Sequence, residues 1–242
     1  MTSYIVDNDY SADSLRWIKK CEELDIKSND NNKILEKLQN EIIETNDSAL
    51  AYLFCTEFDY KHYRMQRVIF ENKEPKYAFI FAQNIPNSDI KSLQKIVIDS
   101  KNIKYICNFA CFVRGADLKP LETLILKSIT KPKNVKYAHK YLKHVSGANV
   151  KKFKDFIMVS KKPRYLFELA KHLTNKKEIE KIEDLIIETG SFTYMRLFAE
   201  KIKLANIEKI EQVILDTDNV NEIKKFARYV KHSRMKRFFI VL

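Results

Sequence analysis

Apolar residues in this chain fall into short ladders of helical period, and the ladders repeat. One series reads Ile90, Leu93, Ile96, Ile98; Leu118, Leu121, Leu124, Leu126; Val150, Phe153, Phe156, Met158; Ile179, Ile182, Leu185, Ile187; and Ile207, Ile210, Val213, Leu215. Residues spaced three and four apart share one face of an α-helix, so each row predicts an amphipathic helix. Each closes two residues later on a hydroxyl: Ser100, Ser128, Ser160, Thr189 and Thr217. A tyrosine precedes each ladder, at Tyr77, Tyr105, Tyr137, Tyr165 and Tyr194, with spacings of 28, 32, 28 and 29 residues. Five positions after it comes Ala82, Ala110, Leu142, Ala170 or Ala199, and three further on Ile85, Val113, Val145, Leu173 or Ile202. These positions predict a first helix in each unit, carrying the tyrosine, ahead of the second helix that carries the ladder.

Between the paired helices lies a four-residue break, such as Pro86–Asp89, Arg114–Asp117, Ser146–Asn149 and Lys203–Asn206. Each ends in Asp or Asn, whose side-chain oxygen caps the free N–H groups of a new helix. The unit at Leu173 runs one residue longer, from Thr174 to Glu178, and its break shows no such cap. Pro75 and Pro163 stand just before a repeat tyrosine, where a helix start tolerates the missing N–H. The unit is therefore helix, tight turn, helix, linker.

A period of this size marks stacked supersecondary units that bury apolar faces against their neighbours. The expected fold is all-α: an α-solenoid of about seven helix-turn-helix repeats. Met65, Val68 and Phe70 fit a further second helix, preceded by a helix from Ser48 to Phe58. Asn32 to Thr45 fits another, preceded by one around Ser14 to Leu24. Near the other end, Phe226, Ala227 and Val230 keep the first-helix spacing, and Met235, Phe238 and Val241 follow. The expected organisation is one continuous array over 1–242: an acidic capping repeat at 1–47, regular repeats at 48–220 and a basic capping repeat at 221–242.

Composition fits a loop-poor helical chain, with 3 glycines and 5 prolines in 242 residues. No run approaches the roughly 18 apolar residues of a membrane span. The acidic start (Asp7, Asp9, Asp13) does not resemble a signal peptide. Four cysteines without CxxC spacing suit a reducing compartment, so the expected location is intracellular, cytoplasmic or virus-associated rather than secreted. Cys107 and Cys111, one helical turn apart, are expected to be buried thiols.

Charge changes the picture more. Residues 1–60 hold 6 Lys/Arg and 13 Asp/Glu, a net of −7, within a chain of net +12. From Ile125 to Lys177 there are 15 basic residues against Asp155 and Glu168. Such density attracts polyanions. Lys76, Lys104, Lys136 and Arg164 each precede a repeat tyrosine near a helix start, where free N–H groups and the positive dipole end favour phosphate. With Lys133, Lys140, Lys143, Lys151, Lys152, Lys161, Lys162 and Lys171 they form the expected nucleic-acid-binding set. The tyrosines have two readings: packing between hairpins with the hydroxyl at the rim, or stacking on unpaired bases.

Chemistry finds few footholds. With Gly115, Gly147 and Gly190 as the only glycines, there is neither a GxGxxG fingerprint nor a P-loop. His139 and His144, five apart, do not share a helix face as metal ligands, and His62, His172 and His232 stand apart from Cys or carboxylate clusters. Glu178, Glu180 and Glu183 suit the dipole at a helix start. The expectation is no enzyme, no cofactor and no metal.

The pattern Tyr-x-x-x-(Phe/Leu)-Ala at Tyr105…Phe109-Ala110, Tyr165…Leu169-Ala170 and Tyr194…Phe198-Ala199 resembles the short helical-hairpin repeats of large DNA viruses and phages, about 29 residues long. Tyr77-Ala78 and Tyr137-Ala138 match the family's opening, and Glu122, Glu183 and Glu211 its second-helix glutamate. The likeness spans about residues 48–242, without the family's Arg-Trp-Pro linker. It implies an α-solenoid, a viral source and a scaffold, and no activity. The functional expectation is thus a non-enzymatic nucleic-acid-binding array, DNA or RNA, with little sequence selectivity. The alternative is a protein–protein adaptor docking an acidic partner, and self-association through Phe238 to Leu242 is a third possibility.

Overall fold

The computed structural model describes residues 31–58 and 60–235, all helix, turn and linker among those residues. The helices expected around Ser14 to Leu24, and the apolar positions Phe238 and Val241, lie outside them. Contacts divide the chain into two compact units, Met1–Leu121 and Glu122–Leu242. In the first unit lie α1 (Asn31–Thr45), α2 (Ser48–Glu57), α3 (His62–Asn72), α4 (Pro75–Asn84), α5 (Ile90–Asp99) and α6 (Ile103–Phe112). The division falls within α7 (Leu118–Ser128). In the second lie α8 (Val135–His144), α9 (Val150–Val159), α10 (Pro163–Ala170), α11 (Lys176–Glu188), α12 (Phe192–Lys201), α13 (Ile207–Leu215) and α14 (Val220–Tyr229).

Packing follows chain order. In the first unit each helix touches the next, while α2, α4 and α6 form one row and α1, α3 and α5 another. In the second unit α8, α10, α12 and α14 form a row, with α9, α11 and α13 alternating between its members along the chain. Each unit is thus a stack of helical hairpins, the all-α solenoid-like repeat expected from the ladders. Every hairpin contributes one large side chain to the core, four residues after the tyrosine or its equivalent. In the first unit these are Phe54, Phe81 and Phe109; in the second, Tyr141, Leu169, Phe198 and Phe226. All are at most 1% exposed, so burial here is the main source of stability.

The turns are held by three recurring devices. Asp89, Asn206 and Asp117 cap as expected: Ser92, Lys209 and Lys119 each donate a backbone N–H to them at 3.1 Å. Asn149 makes no side-chain cap bond. The long break after Leu173 does carry a cap, contrary to expectation: Asn175 accepts from the Glu178 N–H at 3.3 Å, and α11 begins three residues before its first ladder residue. The extra residue moved the cap rather than deleting it. At the far end of most hairpins a closing hydroxyl donates to a carbonyl three residues back, as in Ser100 to Val97 (2.7 Å) and Thr189 to Ile186 (2.6 Å).

The third device is a side chain in the odd-numbered helices that reaches the next turn. In the first unit Gln94 accepts from the Asp117 N–H and donates to the Asp117 carbonyl, both at 2.9 Å. Gln66 accepts from the Asp89 N–H at 3.1 Å. In the second unit Glu183 accepts from the Asn206 N–H at 2.7 Å, and Glu211 from the Met235 N–H at 2.6 Å and the Ser233 hydroxyl at 2.8 Å. Each clasp satisfies a backbone group that the stacked hairpins would otherwise leave unpaired.

Candidate nucleic-acid interface

The expected binding residues separate according to hairpin topology. In the second unit Lys133 and Lys136 lie at the start of α8, and Lys161, Lys162 and Arg164 at the start of α10. These two helices pack directly, with the His139 and Tyr165 rings 4.9 Å apart. Lys143 ends α8, Lys151 and Lys152 begin α9, and Lys171 follows α10, so these four sit at the turn end of their hairpins. Half-buried Lys140 lies between the two ends of α8. In the first unit Lys76 and Lys104 occupy the first turns of α4 and α6, which also pack together.

Ion pairs divide the set further. Lys152 reaches Glu122 at 2.8 Å, Lys161 reaches Glu188 at 3.0 Å, and Lys171 reaches Glu168 at 2.9 Å. Lys133, Lys136, Lys143, Lys151, Lys162 and Arg164 are exposed and have no acidic partner among the described residues. The unit from 122 to 242 holds 27 Lys/Arg against 14 Asp/Glu, a net of +13, while 1–121 holds 17 against 18.

The lysine of each Lys-Tyr pair rests over its neighbour's ring. The ammonium lies 5.2 Å from the Tyr77 centroid for Lys76, 5.4 Å from Tyr105 for Lys104, and 5.1 Å from Tyr137 for Lys136. At Tyr165, Lys162 takes this place at 5.8 Å, although the residue before the tyrosine is Arg164. Spacing alone did not show this exchange.

Other chemistry-bearing side chains have structural surroundings. His139 is buried against Tyr165, its Nε2 has no hydrogen-bond partner, and burial pulls its pKa down to about 4. Burial raises the Glu183 pKa, against its Asn206 N–H bond and nearby Lys209. Burial likewise pushes the Cys55 thiol up to about 12, leaving it neutral. Cys107 is buried and its sulfur lies 3.9 Å from that of half-buried Cys111. Glu183 was expected to serve a helix start; the finding is that it clasps the following turn. The signal was present in sequence: Gln66, Gln94 and Glu183 each precede a turn's capping residue by 23 positions.

No group of three or more His, Cys, Asp or Glu suited to a metal occurs among the described residues, and no described helix is long and apolar enough to cross a membrane. A separate cleft of 430 Å³ in the first unit lies between α3 and α5, lined by Phe70, Lys73, Lys95, Ile96 and Asp99 with Ser92 and Ser100. The chain matches no family model, no curated protein and no solved structure. What the fold defines is a class: helical-hairpin repeat proteins, in which each unit's stability comes from its neighbours.

Proposed function

We propose that this chain is a non-enzymatic helical-repeat protein that binds the nucleic-acid backbone, with little sequence selectivity, through helix starts in its second unit. The observation that carries the reading is the set Lys133, Lys136, Lys162 and Arg164. These exposed cations, without acidic partners among the described residues, lie at the starts of two helices packed on each other. Helix starts add free N–H groups and a positive dipole end to that charge. Phosphate contacts of this kind position a ligand without reading its bases.

The test is fluorescence anisotropy of a 25-bp duplex, a length of about two helical turns, with the full chain at low salt. Lys133→Glu, Lys136→Glu and Arg164→Glu combined should weaken binding at least tenfold, about 1.4 kcal/mol. A control combining Lys203→Glu, Lys224→Glu and Lys177→Glu alters net charge equally at exposed positions elsewhere in the unit. Equal losses for both variants, or no binding by the unaltered chain, would reject the assignment.

The 430 Å³ cleft in the first unit favours a second reading, an adaptor that seats an apolar side chain on Phe70 and Ile96 beside Lys73 and Lys95. An acidic protein partner retained after nuclease digestion would support it over the first.

A further inference from the structure

The geometry points to Lys-Tyr pairs that are phosphate seats rather than base platforms: the ligand is the phosphodiester backbone, whatever its bases. This rests on the nucleic-acid reading above and specifies what that site recognises.

A base stacks only on an open π face. Here a neighbouring side chain already lies against each ring, and the remainder of each ring is only half-exposed. An ammonium lies 5.1–5.4 Å from the centroids of Tyr77, Tyr105 and Tyr137, in each case from the preceding lysine. Tyr165 has both the Lys162 ammonium at 5.8 Å and the His139 ring at 4.9 Å. Tyr194 has the Phe167 ring at 6.1 Å. All five tyrosines are half-buried, so their rings serve hairpin contacts, and four of them also carry a cation.

An ammonium beside a ring has three N–H donors, and those directed away from the ring remain open to an outside acceptor. The ring restricts an otherwise flexible four-carbon side chain, so less freedom is lost when a phosphate arrives. Repetition of one arrangement at the starts of α4 and α6 in the first unit, and of α8 and α10 in the second, makes a device for placing point charges. Nothing in it distinguishes one base from another.

The experiment compares three ligands of equal length with the unaltered full chain at one low salt concentration: a thymidine oligonucleotide, a strand with the same phosphates but abasic sites throughout, and a duplex. The abasic strand should bind within about twofold of the thymidine strand, since stacking of even one base changes affinity roughly 5- to 100-fold. The duplex should bind at least as tightly as either, because its charge density is higher. Thymidine binding tenfold or more above abasic binding overturns the phosphate-seat assignment while leaving nucleic-acid binding standing. No binding of any of the three overturns both.

A second measurement uses Tyr137→Leu with Tyr165→Leu, its folding checked by circular dichroism. Releasing the two ammoniums should weaken thymidine and abasic strands alike, by about two- to fivefold per pair. A loss confined to the thymidine strand would show that the rings stack on bases and would overturn the inference.

Discussion

His139 and Glu183 are both buried in the second unit, and their titrations act on stability in opposite directions. Burial lowers the His139 pKa from 6.5 to about 4; Glu168 opposes the shift, while Arg164, Lys143 and His144 reinforce it. The unfolded chain therefore binds more protons than the folded one between those values. Stability from this group is complete above pH 6.5 and is lost as pH falls towards 4, by up to about 3 kcal/mol. His139→Leu should remove that slope and the unpartnered Nε2 together, which urea denaturation at pH 7 and pH 4.5 would show. Glu183 has a raised pKa, so its folded form holds the proton longer and its stabilising effect declines as pH rises above the ordinary carboxylate range. Glu183→Gln keeps an acceptor for the Asn206 N–H and should flatten that decline. Glu183→Ala leaves the N–H unpaired and should cost about 1–3 kcal/mol at pH 7. The burial that shifts either group was not legible in the sequence. His139 could be excluded as a metal ligand from its spacing to His144, but its burial depends on Tyr165 from the next hairpin.

At the scale of the helical element, hairpin boundaries were legible because caps, hydroxyls and apolar ladders all obey local rules. The clasps left only the 23-residue offset from Gln66, Gln94 and Glu183 to a capping residue, because each joins side chain to backbone over 23 or 24 residues. Gln94→Ala should remove both bonds to Asp117 and destabilise the chain by about 2 kcal/mol, with faster hydrogen exchange at the Asp117 amide. The linkers follow another hidden rule. Asn46, Lys73, Lys101, Lys161, Gly190 and Asp218 all take positive φ, between 48° and 66°, just past the end of an odd-numbered helix. Only one of them is glycine, the residue that adopts this conformation without strain. The three lysines gain something in return, since a cation is favoured at a helix C-terminus. Asp218 lies beside the cap of α14 as well as past the end of α13, so its charge gains and loses about equally. Asp218→Gly should therefore act through relief of the positive φ alone, stabilising by up to about 1 kcal/mol and raising Tm by roughly 2–4 °C. Lys101→Gly should change Tm little, because relief of strain and loss of the dipole contact nearly cancel.

Across the whole molecule, net positive charge belongs to the second unit, at +13, while the first is near neutral at −1. The sequence showed that asymmetry, and its period showed where each cation falls in its hairpin. What it did not show was the neutralisation of individual cations: Lys152, Lys161 and Lys171 look equivalent to Lys151 and Lys162 along the chain, yet each meets a glutamate. This difference reduces the number of phosphates the protein can neutralise. Twelve cations were expected to contribute; four with no acidic partner among the described residues, Lys133, Lys136, Lys162 and Arg164, lie at the starts of α8 and α10. Where a duplex is engaged through the second unit alone, log K should then fall against log salt with a slope of about −4, rather than the roughly −11 of the full set. Reversing Lys136 and Arg164 should bring the slope to about −2, whereas Lys152→Gln, which removes a cation already paired with Glu122, should leave it unchanged. A titration from 20 to 200 mM salt, spanning Debye lengths from roughly 20 to 7 Å, separates these cases. A slope that stays near −4 after Lys136 and Arg164 are reversed would place the contacts on other cations, such as those at the turn ends of the hairpins.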